Sequence, residues 1–231
     1  MKTLALITAA GRGRRMGSAR PKQFLALAGK PILAQTVEIF ERCRSVDGVF
    51  IIAPQEEMDP VQREIVEAYR FQKVLKVVRG GRVRQQSVFN GLKAVKADCE
   101  IVIVHDGVRP LITPALIEAS IEQARKTGAA IVAVPARDTV KRVRPGGRLE
   151  TLPREEIWLA QTPQTFQFPL LFQAHQKAAQ ESFKGTDDAS LVERLGQEVS
   201  LIPGDYHNLK ITTPEDLSLA EAWRSLERKS V

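Results

Sequence analysis

The feature that most constrains this chain is a rhythm of short, nearly unbroken apolar runs separated by amphipathic stretches. Residues 4–8 (LALIT), 49–53 (VFIIA), 74–78 (VLKVV), 101–104 (IVIV) and 130–134 (AIVAV) are too short for helices and mostly rich in β-branched residues. They read as strands, the first reaching back to Thr3. Between them, residues 37–43, 61–69, 83–95 and 114–125 read as helices. In the third of these, Val88, Leu92 and Val95 turn one face inward. Thr113-Pro114 supplies an N-cap followed by Pro at the first helical position. Thr213-Pro214-Glu215-Asp216 repeats the signal and adds acids in the first turn. Strands alternating with helices imply an α/β fold, a mostly parallel sheet with helices on both faces. Apolar runs without alternation suit central strands buried from both sides.

From Asp138 the rhythm breaks. Thr139 to Val143 and Leu149 to Leu152 flank Pro145-Gly146-Gly147, a hairpin pattern with no crossover helix. An inserted β-arm over about 138–157 is expected to protrude. Helical spacing returns at Phe168, Leu171, Phe172 and His175, a short strand is expected over 199–202, and a last helix presents Leu219, Ala220, Trp223 and Leu226 on one face. The 231 residues show no repeat or low-complexity linker, so residues 1–231 read as one domain carrying the arm.

Composition removes several classes. At 43% hydrophobic residues the chain is no disordered polymer, and no apolar run approaches the roughly 20 residues of a membrane span. The N-terminal apolar stretch is shorter than the usual signal-peptide core of about 7–15 residues and runs straight into a Gly- and Arg-rich segment. Cys43 and Cys99 lie far apart in no metal-like spacing, as expected of free thiols in the cytoplasm. Three histidines without a recurring spacing do not suggest a His-built metal site. A net charge of +7 raises nucleic acid as a partner, but two Trp, two Tyr and no aromatic–basic interleaving speak against it. The same excess suits small anionic substrates.

Much of that charge sits in one place. The first strand runs into Ala9-Ala10-Gly11-Arg12-Gly13-Arg14-Arg15-Met16-Gly17, with Arg20 and Lys22 close behind. Ligands of parallel α/β sheets bind beyond the strands' carboxyl ends, and glycines let backbone N–H groups approach a phosphate. The alternative is a solvated basic loop. A dinucleotide fingerprint fails at Met16 and at Ala53-Pro54, where the ribose-binding acid is missing. A P-loop fails at Gly29-Lys30-Pro31.

Ala9-Ala10-Gly11-x-Gly13-x-Arg15-Met16-Gly17 followed by Pro21-Lys22-Gln23 resembles the signature loop of nucleotidyltransferases. Further segments narrow the resemblance: Gly80-Gly81-x-x-Arg84-x-x-Ser87-Val88, His105-Asp106-x-x-Arg109-Pro110, Asp138-Thr139-Val140-Lys141, Gln161-Thr162-Pro163-Gln164, Thr186-Asp187-Asp188 and Asn208-Leu209-Lys210. In this order they are similar to the 2-C-methyl-D-erythritol 4-phosphate cytidylyltransferase family of non-mevalonate isoprenoid synthesis. The resemblance implies a Rossmann-like nucleotidyltransferase fold, CTP and methylerythritol phosphate as substrates, Mg²⁺ mainly on the CTP phosphates, and a homodimer formed through the arm.

The resemblance also assigns roles. Arg15 and Lys22 correspond to transition-state stabilisers on the triphosphate, and Ala9, Ala10, Gly11 and Gly13 shape the nucleotide loop. Gly81 and Ser87 match positions near the cytosine and ribose; read from the residues alone they serve equally as a plain strand–helix turn. Asp106 and Arg109 fall near the acceptor's hydroxyls and phosphate, with Asp106 also a metal ligand. Thr139, Arg154, Thr162, Thr186 and Lys210 match the acceptor-positioning set, and Arg154 and Lys210 orient the attacking phosphate, Arg154 across a dimer. His105 reads as structural. Where the family commonly has two alanines, Gly107-Val108 suggests a looser, bulkier turn. A cytidylyltransferase for ribitol 5-phosphate or another polyol phosphate shares the loop and fold.

Overall fold

The structure, a computed structural model, describes residues 1–11, 21–95 and 98–229. The expected loop residues Arg12, Gly13, Arg14, Arg15, Met16, Gly17 and Arg20 lie outside the described residues.

In chain order the elements are β1 (Lys2–Thr8), a short ribbon of β2 (Ala26–Leu27) and β3 (Lys30–Pro31), α1 (Ile32–Arg42), β4 (Gly48–Ala53), and α2 (Met58–Pro60) leading into a π-helical stretch (Val61–Glu67). Then come β5 (Val74–Arg79), α3 (Arg84–Ala94), β6 (Cys99–Asp106), α4 (Pro114–Thr127) and β7 (Ala129–Pro135). The arm strands β8 (Lys141–Val143) and β9 (Leu149–Thr151) follow, then β10 (Trp158–Gln167), α5 (Phe168–Gln180), α6 (Asp188–Glu193), β11 (Ser200–Pro203) and α7 (Pro214–Lys229).

Seven strands form one sheet in the order β11-β7-β10-β6-β1-β4-β5. β6, β1, β4 and β5 pair in parallel, as do β7 and β11. The apolar runs feed two cores, one on each face. Ala5, Ile7, Val49, Ile51, Ile101 and Ile103 point into one core with α1 and α4. Leu4, Leu6, Phe50, Ile52, Val102 and Val104 point into the other with α3 and α5. Successive strand side chains alternate faces, so a strand buried on both must be apolar throughout. VLKVV is the exception. It forms the edge strand β5, where Leu75 and Lys76 are exposed.

The helix signals hold at α4, where the Leu116 N–H donates to Thr113 Oγ1 at 3.3 Å, Pro114 follows, and Gly128 closes the helix at φ 90°. β10 was not expected. It runs antiparallel between β6 and β7, and Gln161, Thr162, Gln164 and Thr165 are buried in it. Each of these side chains has a partner: Gln161 Nε2 donates to the Asp205 backbone carbonyl, Gln164 Nε2 to Asp187 Oδ2, Thr165 meets Ser120, and Thr162 meets His105. Burial with satisfied hydrogen bonds removes the hydrophobic pattern by which a strand is recognised.

The arm is a two-stranded hairpin in which Lys141 opposes Thr151 and Val143 opposes Leu149. Gly146 and Gly147 turn it at φ 82° and 80°, a region that favours glycine. A third small core of Leu27, Ile32, Val108, Ile211 and Ala220 fastens α7 and the segment before it to the β6–α4 turn. There the Ile211 N–H donates to the Val108 carbonyl at 2.9 Å.

Candidate active site

The carboxyl ends of β1, β4, β5 and β6 open into one cavity of about 1020 Å³. Its lining includes Ala9, Ala10 and Gly11 after β1, Lys22 beyond them, Gly80 to Arg84 after β5, Ser87 in α3, Asp106 at the end of β6, and Lys210 from the segment before α7. Topology therefore brings together Ala9, Ala10, Gly11, Lys22, Gly81, Ser87, Asp106 and Lys210, eight of the expected site residues. Lys22, Arg79, Arg82, Arg84 and Lys210 make the described lining strongly cationic. The turn after β5 is tight: the Gly80 N–H donates to the Ala53 carbonyl at 2.7 Å and the Gly81 N–H to Ser87 Oγ at 2.9 Å. A Cβ on Gly80 would stand 2.7 Å from the Ala10 Cβ, so glycine is what lets these two walls of the cavity meet.

Asp106 is the electrostatic centre. Lys210 Nζ lies 2.9 Å from its Oδ2, Arg109 Nε 3.4 Å from the same oxygen, and Arg84 Nε 3.8 Å from Oδ1. Burial pushes its carboxyl up, but the charges of Lys210, Arg84 and Arg109 outweigh that and hold it well below the usual carboxylate range. Asp106 is thus ionised at neutral pH. Lys210 is held by its neighbours: the Arg109 guanidinium donates to the Asn208 carbonyl at 2.6 Å, Asn208 Nδ2 donates to the Thr162 carbonyl at 2.8 Å, and Lys22 Nζ donates to the Ile211 carbonyl at 3.1 Å. The last bond ties the two sides of the cavity together.

Other expected residues take different places. Arg109 and Thr162 are buried behind Asp106 and are not in the described lining. Arg109 spends its donors on Asp106 and Asn208, which makes it a brace for the site rather than an open anion ligand. Thr162 Oγ1 accepts the Asp106 N–H at 3.1 Å. Thr186 lines a smaller adjoining depression of about 240 Å³ with Arg84 and Asp188. Thr139 and Arg154 sit at the arm and line neither cavity; Arg154 Nη1 donates to the Arg137 carbonyl at 3.1 Å. Gly107 does not loosen its turn as expected. Its N–H donates to the Thr8 carbonyl at 2.9 Å, and a Cβ would stand 2.9 Å from Leu33 Cδ1 and 3.1 Å from the Thr8 oxygen. Val108 finds its extra bulk a place in the third core.

His105 is structural. Its Nε2 faces the Arg109 carbonyl at 3.3 Å, so that nitrogen carries the hydrogen and Nδ1 accepts from Thr162 Oγ1 at 3.1 Å. Full burial lowers its pKa to about 4. An unfolded histidine takes its proton near 6.5, so between those values the unfolded chain binds more protons and stability falls as pH falls. Urea unfolding at pH 7 and pH 5 is expected to show a loss of about 2 kcal/mol from this residue. His105→Gln should flatten that segment of the profile, and an unchanged slope would refute the assignment.

The model of the 2-C-methyl-D-erythritol 4-phosphate cytidylyltransferase family matches residues 3–225. The chain belongs to this family. The family's members convert CTP and methylerythritol phosphate to CDP-methylerythritol in isoprenoid synthesis. A cytidylyltransferase of this name from Geotalea uraniireducens is 52% identical over 225 residues, covering 96% of this chain and 97% of the relative. One from Geobacter metallireducens is 50% identical, with the same coverage of both chains. Among solved structures, the 4-diphosphocytidyl-2C-methyl-D-erythritol synthase of Anaerococcus prevotii superposes with a TM-score of 0.87 at 32% identity, covering 97% of this chain and 98% of that one. The Thermus thermophilus 2-C-methyl-D-erythritol 4-phosphate cytidylyltransferase gives 0.79 at 34% identity, covering 96% and 98%.

Within this cytidylyltransferase, reading of the sequence left Arg84, Asp188, His175 and Asn208 without roles. A signal existed for Arg84. It is the first residue of α3, whose first turn holds no acid. A cation there opposes the helix dipole, so a carboxylate elsewhere must hold it. That partner is Asp188, at 2.6 Å.

Proposed function

We propose that the chain transfers CMP from CTP to 2-C-methyl-D-erythritol 4-phosphate in the cavity centred on Asp106. An oxygen of the acceptor phosphate attacks the α-phosphorus of CTP and pyrophosphate leaves. The second pKa of a phosphate monoester is near 6, so the nucleophile is already an anion at neutral pH. The task is to hold two anions together and spread the charge that builds on phosphorus and leaving group, which fixed cations do without a general base. The buried, neutral His105 accords with that. The observation that carries this reading is that Lys22 and Lys210 line one cavity at the carboxyl ends of parallel strands, with Lys210 paired to the buried, ionised Asp106.

In this reading Lys22, with Arg15, takes the triphosphate, and the backbone of Ala9 to Gly11, with Gly13, receives its phosphates. Gly81 and Ser87 address the base and ribose. Asp106 accepts from the acceptor's hydroxyls, Thr162 holds Asp106, Arg109 braces the segment that carries Lys210, and Thr186 lines the acceptor side. Lys210 orients the acceptor phosphate. A Mg²⁺ ion carried on the CTP phosphates fits Asp106, the buried carboxylate at the end of β6: the described residues offer no group of three His, Cys, Asp or Glu side chains, and Mg²⁺ readily takes its other ligands from phosphate and water. Such an ion would neutralise phosphate charge.

The arm reaches a second subunit in this reading and delivers Arg154 and Thr139 to the partner's acceptor site. Support comes from Val143 and Leu149, apolar yet 69% and 64% exposed on the hairpin. Free, buried Cys43 and Cys99 accord with a cytoplasmic enzyme, and no helix among the described residues is long and apolar enough to cross a membrane. One assay tests function and arm together. Pyrophosphate release with Mg²⁺ is expected from CTP plus methylerythritol phosphate and not from ribitol 5-phosphate; the reverse preference would overturn the substrate. Mixing inactive Arg154→Ala and Lys210→Ala chains should restore release. Silence despite subunit exchange would remove the cross-subunit role.

A further inference from the structure

Behind the acceptor side of the cavity lies a buried pair of polar side chains, Asp188 and His175, that the proposed mechanism does not use. Asp188 is almost fully buried. Its Oδ2 accepts from Arg84 Nη1 at 2.6 Å and its Oδ1 faces His175 Nε2 at 2.9 Å, so both oxygens are taken. His175 is buried as well, stacked on Phe89 at 5.8 Å between ring centroids, and its Nδ1 has no partner. A buried carboxylate is costly unless paired, and this one is paired on both sides. Gln164 fixes the carboxylate's backbone, its Oε1 accepting the N–H groups of Asp188 and Ala189 at 3.1 and 3.3 Å.

The group so anchored is not itself buried away. The Arg84 side chain is 30% exposed and lines both the main cavity and the smaller depression that holds Thr186. One end of its guanidinium is fastened to Asp188, while Nε stands 3.8 Å from Asp106, too long for a hydrogen bond. Among the described residues Nη2 has no acceptor. A planar fork with one side tethered and donors left over, lining two adjoining cavities, suits an oxyanion or a hydroxyl of a bound ligand.

We propose that Arg84 contacts the acceptor substrate and that Asp188, backed by His175, is a positioning residue that fixes the Arg84 guanidinium for this contact. The proposal rests on the transfer reaction proposed above. It adds a second fixed cation beside Lys210 on the acceptor side and explains why a buried Asp–His pair stands where no chemistry occurs. CTP, held through Lys22 and the loop after β1, does not depend on it.

The test is steady-state kinetics with the acceptor varied at saturating CTP, beside calorimetric CTP binding. Arg84→Ala should raise the acceptor KM about 30-fold, the loss of a charge-assisted contact, and Asp188→Asn about tenfold, with CTP affinity within about twofold in both. In the double variant Asp188→Asn should add nothing to Arg84→Ala, because its effect passes through the guanidinium. Additive losses, an unchanged acceptor KM in folded Asp188→Asn, or equal losses for CTP and acceptor would each overturn the proposal. Should Asp188→Asn fail to fold, Arg84→Lys decides. Lysine cannot span Asp188 and a ligand as the fork does, so its acceptor KM should rise about tenfold, and a wild-type value would overturn the proposal. Absence of pyrophosphate release by the unmutated protein would instead strike at the transfer reaction itself.

Discussion

Lys22→Ala is expected to lower turnover about 100- to 1000-fold while leaving the unfolding midpoint close to that of the parent, as for loss of one preorganised group that stabilises charge in a transition state. Lys22 stands on a short 3₁₀ turn, Lys22–Phe24, at the cavity wall. Its ammonium donates to the Ile211 carbonyl at 3.1 Å, one residue from Lys210, so it faces the space between the nucleotide loop and the acceptor side. Phosphoryl transfer moves charge onto the leaving pyrophosphate, and the cation matters most at that moment. The loss should therefore appear in kcat more than in CTP affinity. Single-turnover measurement with CTP and methylerythritol phosphate checks this. A variant turning over within threefold of the parent would take Lys22 out of the mechanism.

Asp106→Ala is expected to act on stability and specificity at once. It strips the shared counter-charge from Lys210, Arg109 and Arg84. Removing one partner of a buried pair costs about 3–5 kcal/mol, and the lower end applies here because Lys210 and Arg84 are partly exposed. The acceptor loses a fixed hydrogen-bond acceptor, so its kcat/KM should fall about 100-fold. CTP should bind as well as before or tighter, since the cavity becomes more positive for a highly charged anion. Asp106→Asn keeps the shape and loses the charge, which separates a packing defect from the electrostatic effect. If CTP affinity weakened as much as acceptor use, Asp106 would have to be reassigned to the nucleotide.

The parallel half of the fold was legible because physics leaves few options for a strand such as residues 101–104, apolar at every position, except burial on both faces. β10 was illegible for the opposite reason. Gln161, Thr162, Gln164 and Thr165 are as buried as the apolar strands, but their cost is met by hydrogen bonds from segments distant in sequence, which no local pattern records. At the site, Asp106 could be placed at a strand's carboxyl end from position, whereas Gly81 came from the resemblance, its residues alone reading equally as a strand–helix turn; the fold puts both in one cavity. Arg109 shows where that reasoning stops. Its place in the motif was clear, but whether its guanidinium faces the cavity or the Asn208 carbonyl depends on a residue 99 positions away. Asp188 stood in the segment Thr186-Asp187-Asp188 and His175 in a helical spacing, but neither pattern named a partner, and their link to Arg84 is seen only in the fold.

The direction of β10 has a geometric consequence. Trp158 pairs with Pro135, and Gln164 with Val104, so this strand starts at the same border of the sheet at which β6 and β7 finish. A parallel strand in that slot would have required a return path across one face, and the segment between would have been used up in the crossing. Reversal spares the segment between Pro135 and Trp158 that crossing, leaving it to project from the rim onto which the cavity opens. The hairpin thus leaves the sheet at the border where the parallel strands' carboxyl ends open, by strand polarity alone, rather than at the far end of the fold.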